Sequence, residues 1–333
     1  MIILYTIALI KHSIFSGKMQ MEPELIPKVI TIELPRRNKI VFSSFDTLDE
    51  KILNEPLVSL IESLKNIIPE SILEPTITTP GSHKKYSTNI ELCCNHINYV
   101  MRITTKSDIL PRIIENTYKS LGNCCYLEIN GRIYKNGLFK DILSLEYMPF
   151  SFRQPDDSIR EFIIQWLQRN FINVDLLVLI GGECTLFGKI LSGYSKDILF
   201  LTDFQSIVDD VYQNYKSPMV YLINYETWKK ELQDFHRSEN MFICGCKHRQ
   251  HKYYDSKKEP KKIASIINTG IKGMGHNLAT EVCKINANKL YIISCNPESW
   301  KKDWIILNQY YSIENAIEIR TNYSVWIYVL VKM

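Results

Sequence analysis

A cysteine follows an apolar run near the carboxyl end of the chain. Residues 290–293 read Leu-Tyr-Ile-Ile and are typical of a short strand, and Ser294, Cys295, Asn296 and Pro297 come directly after them. A thiol at the carboxyl end of a strand in an α/β sheet faces the crevice in which such sheets bind ligands. Because cysteine is strongly nucleophilic near neutral pH, Cys295 is a candidate nucleophile. The alternative for an isolated cysteine is a buried, inert thiol.

Two further features follow predicted strands in the middle of the chain. Gly181 and Gly182 come after the apolar run 176–180. Glycines there let the backbone approach a ligand and place it at the amino end of the next helix, although any tight turn also uses them. Asp203 follows the apolar run 198–202. An acidic side chain at this point commonly holds ribose hydroxyls, and the alternative is a cap for the next helix.

Two polar segments complete the set of candidates. Asn268 opens a glycine-rich segment, residues 268–275, after the apolar run 263–267. It suits a substrate or cofactor loop, or else an ordinary flexible turn. Gln154 lies in residues 151–156, just before a predicted helix, and its amide is either an orienting group or part of a turn.

The elements that must position these residues alternate regularly from residue 151 onward. Apolar runs predict seven strands, at residues 176–180, 198–202, 219–223, 263–267, 290–294, 316–319 and 326–331. Amphipathic segments before the first strand and between the first six predict helices. This alternation predicts a parallel sheet with helices on both faces. Five β-α units followed by a final hairpin are the layout of the class I methyltransferases, a Rossmann-like α/β fold that uses S-adenosylmethionine. NAD-binding domains share the alternation, but the terminal hairpin is less typical of them.

The first part of the chain shows a less regular pattern. Strand-like runs lie at residues 29–34, 91–104 and 126–133, with helical patterns at 57–68 and 110–121. Asn130 and Gly131 predict a hairpin turn. The apolar start, residues 1–10, is too short to span a bilayer and is expected to form a buried strand. We therefore expect an amino-terminal α+β domain, 1–147, as an accessory or RNA-binding unit, and a methyltransferase domain, 148–333.

Composition restricts the partners and the compartment. The 333 residues include 40 Lys+Arg and 36 Asp+Glu, and the resulting formal charge of +4 permits RNA as a partner without arguing for it. Nine cysteines, with adjacent pairs at 93–94 and 124–125, do not form a disulfide pattern. Free thiols in the cytoplasm or another reducing intracellular compartment are expected. The sequence indicates neither a membrane segment nor an obligate protein partner.

One segment is strongly basic. Residues 247–262 carry six Lys and one Arg against Asp255 and Glu259, a local charge of +5, with Tyr253 and Tyr254 among them. This composition suits RNA phosphate contact and base stacking, or else a solvated insertion between strands. The overlapping run 244–251 contains Cys and His, but its spacing fits no standard zinc site, and a surface loop is expected.

Together these segments resemble the RNA (uracil-5-)methyltransferases, over about residues 147–333. The sequence SFRQPDD resembles the family's Phe-x-Gln-x-Asn motif, with Asp156 in place of Asn. DLLVLIGGECTLFGKIL resembles its first cofactor loop, with Ile180 for a common Tyr and Glu183 for a Gly. NTGIKGMG aligns with the loop Asp-Pro-Pro-Arg-x-Gly-Leu, and YIISCNPESWKKD matches the signature Ile-Ser-Cys-Asn-Pro-Glu-Thr.

The resemblance implies an activity and a set of site residues. It implies transfer of a methyl group from S-adenosylmethionine to C5 of uridine in tRNA or rRNA, with Cys295 attacking C6. The position at the end of a strand near a basic segment is expected to raise the thiolate fraction of Cys295. The cofactor contacts it implies are Gln154, Ile180, Thr185, Asp203 and Asn268. Some relatives hold an iron–sulfur cluster on four amino-terminal cysteines; that spacing is missing here, and no cluster is expected.

Two departures leave other functions open. The loop's Asp and Arg are replaced by Asn268 and Ile271, and the family's catalytic Glu and His fall on Tyr328 and Trp326. A neutral phenol of pKa about 10 is a poor base, so another carboxylate, Glu298 or one from the first domain, would have to take the C5 proton. The alternatives are a catalytically impaired RNA- or cofactor-binding relative and a methyltransferase for another acceptor.

Overall fold

The computed structural model describes residues 26–32, 36–69, 73, 75–76, 85–86, 88–117, 122–141, 143–216, 218–222, 262–321 and 323–333. Several sequence predictions lie outside these ranges: the apolar start at 1–10, the helix at 226–235, the Cys/His run at 244–251, and all of the basic segment except Lys262.

The first part of the chain contains ten strands and two α-helices in its described ranges. The strands are β1 (Lys28–Thr31), β2 (Lys39–Phe42), β3 (Pro75–Thr76), β4 (Lys85–Tyr86), β5 (Thr88–Cys94), β6 (Tyr99–Thr105), β7 (Cys124–Ile129), β8 (Arg132–Asn136), β9 (Phe139–Lys140) and β10 (Glu146–Tyr147). The helices are α1 (Glu55–Lys65) and α2 (Ile109–Thr117), with 3₁₀ turns at Phe45–Thr47 and Glu50–Ile52.

The second part alternates as its hydrophobic pattern predicts. Its strands are β11 (Val174–Gly181), β12 (Ser195–Thr202), β13 (Met219–Leu222), β14 (Ile263–Gly270), β15 (Lys289–Ser294), β16 (Tyr311–Arg320) and β17 (Ser324–Lys332). Its helices are α3 (Asp157–Asn170), α4 (Cys184–Leu191), α5 (Gln205–Asn214), α6 (Gly275–Ile285) and α7 (Pro297–Leu307), with a 3₁₀ turn at Ser192–Tyr194.

The large sheet has the strand order β1-β16-β17-β15-β14-β11-β12-β13. Neighbouring strands from β13 to β15 run parallel, and β17 is antiparallel to both β15 and β16. Helices α3, α4 and α5 pack on one face and α6 and α7 on the other. The chain order reverses between β11 and β14, so the carboxyl ends of these two strands border the crevice where such sheets bind ligands. The predicted α/β class and the seven carboxyl-terminal strands are confirmed.

An eighth strand joins this sheet from the first part of the chain. Strand β1 pairs in parallel with β16, with Lys28 opposite Ile317 and Thr31 opposite Arg320. The chain then returns along the segment before α3: Asn38 N donates to Pro155 O and Asp157 N to Arg36 O, both at 2.9 Å. The first part therefore contributes backbone pairing to the carboxyl-terminal sheet at two places.

The smaller sheet has the order β2-β5-β6-β7-β8. Asn130 and Gly131 connect β7 to β8 with φ of 49° and 80°, the conformation of the predicted hairpin turn. One face packs against α1 and α2, and side chains of the other, including Val100 and Tyr126, join the core beneath the large sheet. Within the described ranges, no helix is both long and apolar enough to cross a membrane.

Candidate active site

Cys295 lies at the carboxyl edge of the large sheet, directly after the last residue of β15, Ser294. Its side chain is half-buried against the core cluster that lies under α3, α4 and α5. Burial raises the pKa of the Cys295 thiol. The expectation of an enlarged thiolate fraction is therefore wrong, because desolvation disfavours the anion.

Asn296 holds the turn that follows Cys295. It is the N-cap of α7, where its side chain accepts from Glu298 N at 3.0 Å and Pro297 occupies the first turn. Its Nδ2 donates to Ile271 O at 3.3 Å, in the glycine-rich segment after β14. One side chain thus fixes the helix start and joins the turns after β14 and β15 at the edge that carries Cys295.

The glycine-rich segment is also fastened to α7 by Asp303. Both carboxylate oxygens of this buried residue accept backbone amides, one from Met274 and one from Gly275, each at 2.9 Å. Gly273 has φ of 72°, and a Cβ there would lie 2.7 Å from Asp303 Oδ2. The segment is therefore an anchored loop rather than an ordinary flexible turn.

The glycine pair at the end of β11 is used largely for close packing. Gly181 has φ of 88°, and a Cβ there would lie 2.2 Å from the carbonyl oxygen of Asn268. The Gly182 amide donates to that same oxygen at 2.7 Å. A Cβ on Gly182 would lie 2.4 Å from the ring of Phe152. Gly181 is required because the backbone of β14 approaches it closely, and Gly182 is required because the Phe152 ring packs on it. The same contacts place the Asn268 backbone at the switch point of the sheet.

Glu183 occupies the position at which the family resemblance predicts a glycine. Its backbone is left-handed, with φ of 56°, and its side chain is buried. Its carboxylate accepts from Arg160 Nε at 2.9 Å, while Arg160 Nη2 donates to Asp141 at 2.6 Å and to the Tyr147 hydroxyl at 3.4 Å. Burial alone would lower the pKa of Arg160, but the two carboxylates outweigh it, and the pKa is raised. The buried guanidinium of Arg160 therefore joins the turn after β11 to α3.

Gln154 and Thr185 are buried polar residues beside this turn. Gln154 is 5% exposed and Thr185 is 1% exposed. The carbonyl of Gln154 accepts from Asn38 Nδ2, and that of Thr185 from the Tyr215 hydroxyl. In the part of the chain that the structure describes, Gln154 Nε2 and Thr185 Oγ1 make no hydrogen bond. Such buried groups normally have a partner, so both are suited to contact a ligand.

Asp203 lies half-buried one residue after β12, near the same edge. The N-cap of α5 is Phe204, whose amide donates to Thr202 Oγ1 at 3.2 Å. Asp203 therefore does not occupy the cap position, and the cap interpretation is wrong. Burial raises the pKa of the Cys184 thiol, and the charge of Asp203 contributes to that rise.

Ile180 is a core residue. It lies in β11 opposite Leu201 on one side and Ile267 on the other, and all three side chains belong to the core cluster under α6 and α7. Ile180 is 1% exposed. Its side chain is thus used for packing, and any ligand contact there falls to the backbone.

The structure does not bring Tyr328 to Cys295. Strand residues in register share a face, and Tyr328 lies opposite Ile292, whose side chain packs in the cluster under α6 and α7. Cys295 contacts the cluster on the other face. Burial raises the pKa of Tyr328, and the charge of Glu318 adds to this. Tyr328, buried away from Cys295, is not placed to act as a base.

Sequence reasoning missed two residues, Tyr323 and Arg37. Tyr323 packs against the same core cluster as Cys295. Arg37 lies over the Tyr323 ring, with its guanidinium carbon 5.8 Å from the centroid, and its backbone bridges to Asp156. Asp156 was recognised only as a substituted motif position, and no local pattern singles out Arg37 or Tyr323.

Several solved structures are similar to parts or most of this chain. The structure of the Pyrococcus abyssi tRNA (uracil-54, C5)-methyltransferase with S-adenosyl-L-homocysteine has a TM-score of 0.59 at 14% identity, over 92% of this chain and 79% of that one. The N-methyltransferase NodS of Bradyrhizobium japonicum WM9 gives 0.36 at 8% identity, over 53% and 87% of the chains. TrmK of *M. capricolum* gives 0.32 at 11% identity, over 51% and 68%. No protein-family model and no curated protein sequence matches the chain. The topology and the first of these likenesses show that the chain has the Rossmann-like fold of the class I methyltransferases.

Proposed function

We propose that the protein is an RNA methyltransferase that transfers a methyl group from S-adenosylmethionine to C5 of uridine in tRNA or rRNA. The observation that carries this proposal is the half-buried thiol of Cys295 at the carboxyl end of β15, joined through Asn296 to the loop after β14. The Pyrococcus abyssi structure, which is similar to this chain over 92% of its length, is of a tRNA (uracil-54, C5)-methyltransferase. We propose residues 148–333 as the methyltransferase domain and 1–147 as an accessory, RNA-binding domain.

The residues at the switch point fit S-adenosylmethionine. Gln154 Nε2 and Thr185 Oγ1 are buried without a partner in the described ranges, and Asp203 is half-buried and does not occupy the cap of α5. Asp203 would take ribose hydroxyls, and Gln154, Thr185 and Asn268 would hold the rest of the molecule. The cofactor supplies an electrophilic methyl group. A Cβ on Gly182 would meet the ring of Phe152, and we propose the polar side chains as the main cofactor contacts.

The chemistry assigned to the protein is covalent catalysis. C5 of uracil is a poor nucleophile, and attack of the Cys295 thiolate on C6 gives C5 the character of an enolate carbon, which takes the methyl group. A base then removes the C5 proton, and the thiolate leaves C6. Asn296 and Asp303 hold the surrounding turns, so the thiol and the loop after β14 keep a fixed relation.

RNA is the proposed partner. The basic segment 247–262, with its local charge of +5 and two tyrosines, would contact phosphates and stack on bases. All of it except Lys262 lies outside the described residues, so its role rests on composition. A uridine flipped out of the RNA would then occupy the crevice at the carboxyl ends of β14 and β15.

Covalent trapping tests the proposal. The protein is incubated with 5-fluorouridine-containing RNA and S-adenosylmethionine, and adducts are separated on denaturing gels. Fluorine at C5 prevents the final elimination, so an active enzyme accumulates a covalent protein–RNA complex. We expect an adduct with the wild type and none with Cys295→Ala. Cys125→Ala is the matched control, because Cys125 is also half-buried. An adduct that survives Cys295→Ala, or wild-type methyl transfer without any adduct, would rule out this mechanism.

A second candidate is a relative that binds RNA or cofactor without turnover. The raised thiol pKa of Cys295 and the placement of Tyr328 on the opposite face favour it. Calorimetry with S-adenosyl-L-homocysteine separates the two candidates when combined with trapping. Binding without an adduct supports the second candidate, and binding with an adduct supports the enzyme.

A further inference from the structure

An open cleft of about 400 Å³ lies in the first part of the chain, between α1 and the turn that joins β5 to β6. Helix α1 contributes Pro56, Ser59 and Leu60 to its lining, and the turn and the start of β6 contribute Asn98 and Tyr99. Small-molecule sites in proteins have volumes of about 300–1,000 Å³. The cleft is therefore large enough for a nucleobase.

Asn98 is a buried member of this lining, and its side-chain oxygen has no partner. The residue is 9% exposed, and Oδ1 makes no hydrogen bond within the ranges that the structure describes. Buried amide oxygens normally accept a hydrogen bond, so this oxygen is suited to a ligand in the cleft. The terminal torsion of an asparagine is broad, and a small rotation of the amide lets Oδ1 meet a donor there.

The turn itself is held by another asparagine. Oδ1 of Asn95 accepts from Ile97 N at 2.8 Å and from Asn98 N at 2.9 Å. Nδ2 of Asn95 donates to Lys140 O at 2.7 Å. Asn95 thus explains the conformation of the turn, and the side-chain oxygen of Asn98 adds nothing to it.

The composition of the lining indicates which ligand fits. Its described residues include the carboxylate of Glu55 but neither Lys nor Arg, so the cleft does not suit a phosphate. Pro56 and Leu60 supply apolar surface, and Asn98 supplies an acceptor. A nucleobase matches this combination, because it has apolar faces and polar groups at its edge. Adenine, cytosine and guanine carry an exocyclic amino group that donates hydrogen bonds, and uracil does not.

The cleft is attached firmly to the second part of the chain by Asn54. As the N-cap of α1, Asn54 accepts from Leu57 N at 3.0 Å. Its Nδ2 donates to Cys94 O at 3.3 Å and to Asp157 Oδ2 at 2.9 Å. Cys94 lines the cleft and Asp157 begins α3. A base in the cleft would therefore keep a fixed relation to the large sheet.

We propose that this cleft binds a nucleobase of the substrate RNA other than the target uridine, with Asn98 Oδ1 accepting from its exocyclic amino group. This inference rests on the proposed function, in which the first part of the chain binds RNA. It adds a sequence preference to that function: the base in the cleft helps to select the uridine that reaches Cys295.

Fluorescence anisotropy with labelled RNA tests the inference. The probes are an oligouridine and three derivatives in which one central residue is adenosine, cytidine or guanosine. The wild type should bind at least one derivative about 3–10-fold more tightly than the oligouridine, as expected for one hydrogen bond. Asn98→Leu has a similar volume but lacks the acceptor, and it should bind all four probes alike. Because Oδ1 has no hydrogen bond to lose, this variant should be at least as stable as the wild type in urea unfolding.

A second variant fills the cleft from the surface of α1. Ser59 is exposed, so Ser59→Phe places a ring in the cleft with little risk to folding, and it should also remove the preference. Glu62→Phe is the matched control, because Glu62 is exposed on the same helix and does not line the cleft. This control should keep the wild-type preference.

Each other result overturns the inference. If the wild type binds the four probes alike, the cleft does not recognise a base. If Asn98→Leu or Ser59→Phe keeps the preference, the base is bound elsewhere. If Asn98→Leu is less stable than the wild type, the side chain of Asn98 is structural. Binding of RNA without a preference removes only the cleft, whereas failure to bind any of the four probes removes RNA as a partner and the proposed function with it.

Discussion

The ring of Tyr328 lies on the ring of Trp300, with centroids 3.9 Å apart and planes inclined by 12°. Trp326 and Trp304 extend the stack beyond these two rings. The stack fills the space between the large sheet and α7, on the face opposite the core that Cys295 contacts. The two aromatic residues at the positions of the family's Glu and His are therefore packing residues of this chain.

Replacing Tyr328 by Glu is therefore expected to damage the fold. By alignment alone, this change restores the Glu that serves as the family's base, and faster turnover would be expected. The structure predicts instead a loss of about 3–5 kcal/mol of unfolding free energy, because an unpaired carboxylate would be buried against Trp300 and close to Glu318. Urea unfolding measures this loss of stability, and Tyr328→Phe, which keeps the aromatic ring, is the control. If Tyr328→Glu is as stable as the wild type and methylates RNA faster, the assignment of Tyr328 to the position of the family's base is correct.

Hydrophobic pattern alone predicted the seven carboxyl-terminal strands, because the first five are buried runs separated by helical segments and the last two are apolar runs that form a hairpin. It gave β16 only at residues 316–319, whereas the strand is Tyr311–Arg320. Residues 312–315 read Ser-Ile-Glu-Asn, and the strand continues through them because its backbone pairs with β17 around a bulge. The pattern also marked a strand at residues 29–34 but could not assign its partner, since hydropathy does not specify which edge a strand joins.

The candidate site could be predicted from the sequence only where its residues form a local motif. Cys295 and the glycine turn could be found because neighbouring residues in the chain define them. The Arg160–Glu183 pair and the group formed by Asp156, Tyr323 and Arg37 join distant segments, and only the fold brings them together. Ile180 was assigned from its place in the motif, but its strand turns the side chain into the core.

Arg160→Met should be strongly destabilising. It removes the cation that pairs with the buried carboxylates of both Glu183 and Asp141, and breaking such a pair costs about 3–5 kcal/mol. Chemical unfolding measures the loss, and Arg169→Met, an exposed change on the same helix, should stay within about 0.5 kcal/mol. A small effect at Arg160 would mean that the two carboxylates are not held by this side chain.

Asp203→Ala should weaken cofactor affinity and leave stability nearly unchanged. A carboxylate that takes ribose hydroxyls contributes about 1–3 kcal/mol to binding. Because Phe204 occupies the cap of α5, the loss of about 1 kcal/mol expected for a deleted helix cap should be missing. Calorimetry with S-adenosyl-L-homocysteine and urea unfolding give the two quantities. Asp197→Ala, at an exposed position on the same strand, is the control. If the affinity for S-adenosyl-L-homocysteine is unchanged and the stability is lowered, the role of Asp203 is structural.

Asp210 should make the stability of the protein depend on pH. Its buried carboxylate accepts from Met148 N and the Ser151 hydroxyl. Burial raises its pKa to about 7, against the opposing effect of those two hydrogen bonds. Between about pH 4, the ordinary pKa of Asp, and pH 7, the folded state keeps a proton that the unfolded state releases, so this contribution to stability falls as pH rises.

Asp210→Asn isolates that contribution, because its amide does not titrate. One pKa unit corresponds to about 1.4 kcal/mol, which sets an upper limit of about 4 kcal/mol for the whole shift. The stability of the wild type relative to Asp210→Asn should fall between pH 4.5 and pH 7 in urea titrations and level off above that range. A difference between wild type and Asp210→Asn that stays constant across this range would mean that Asp210 is ionised in the folded protein at acid pH, with its two hydrogen bonds outweighing burial.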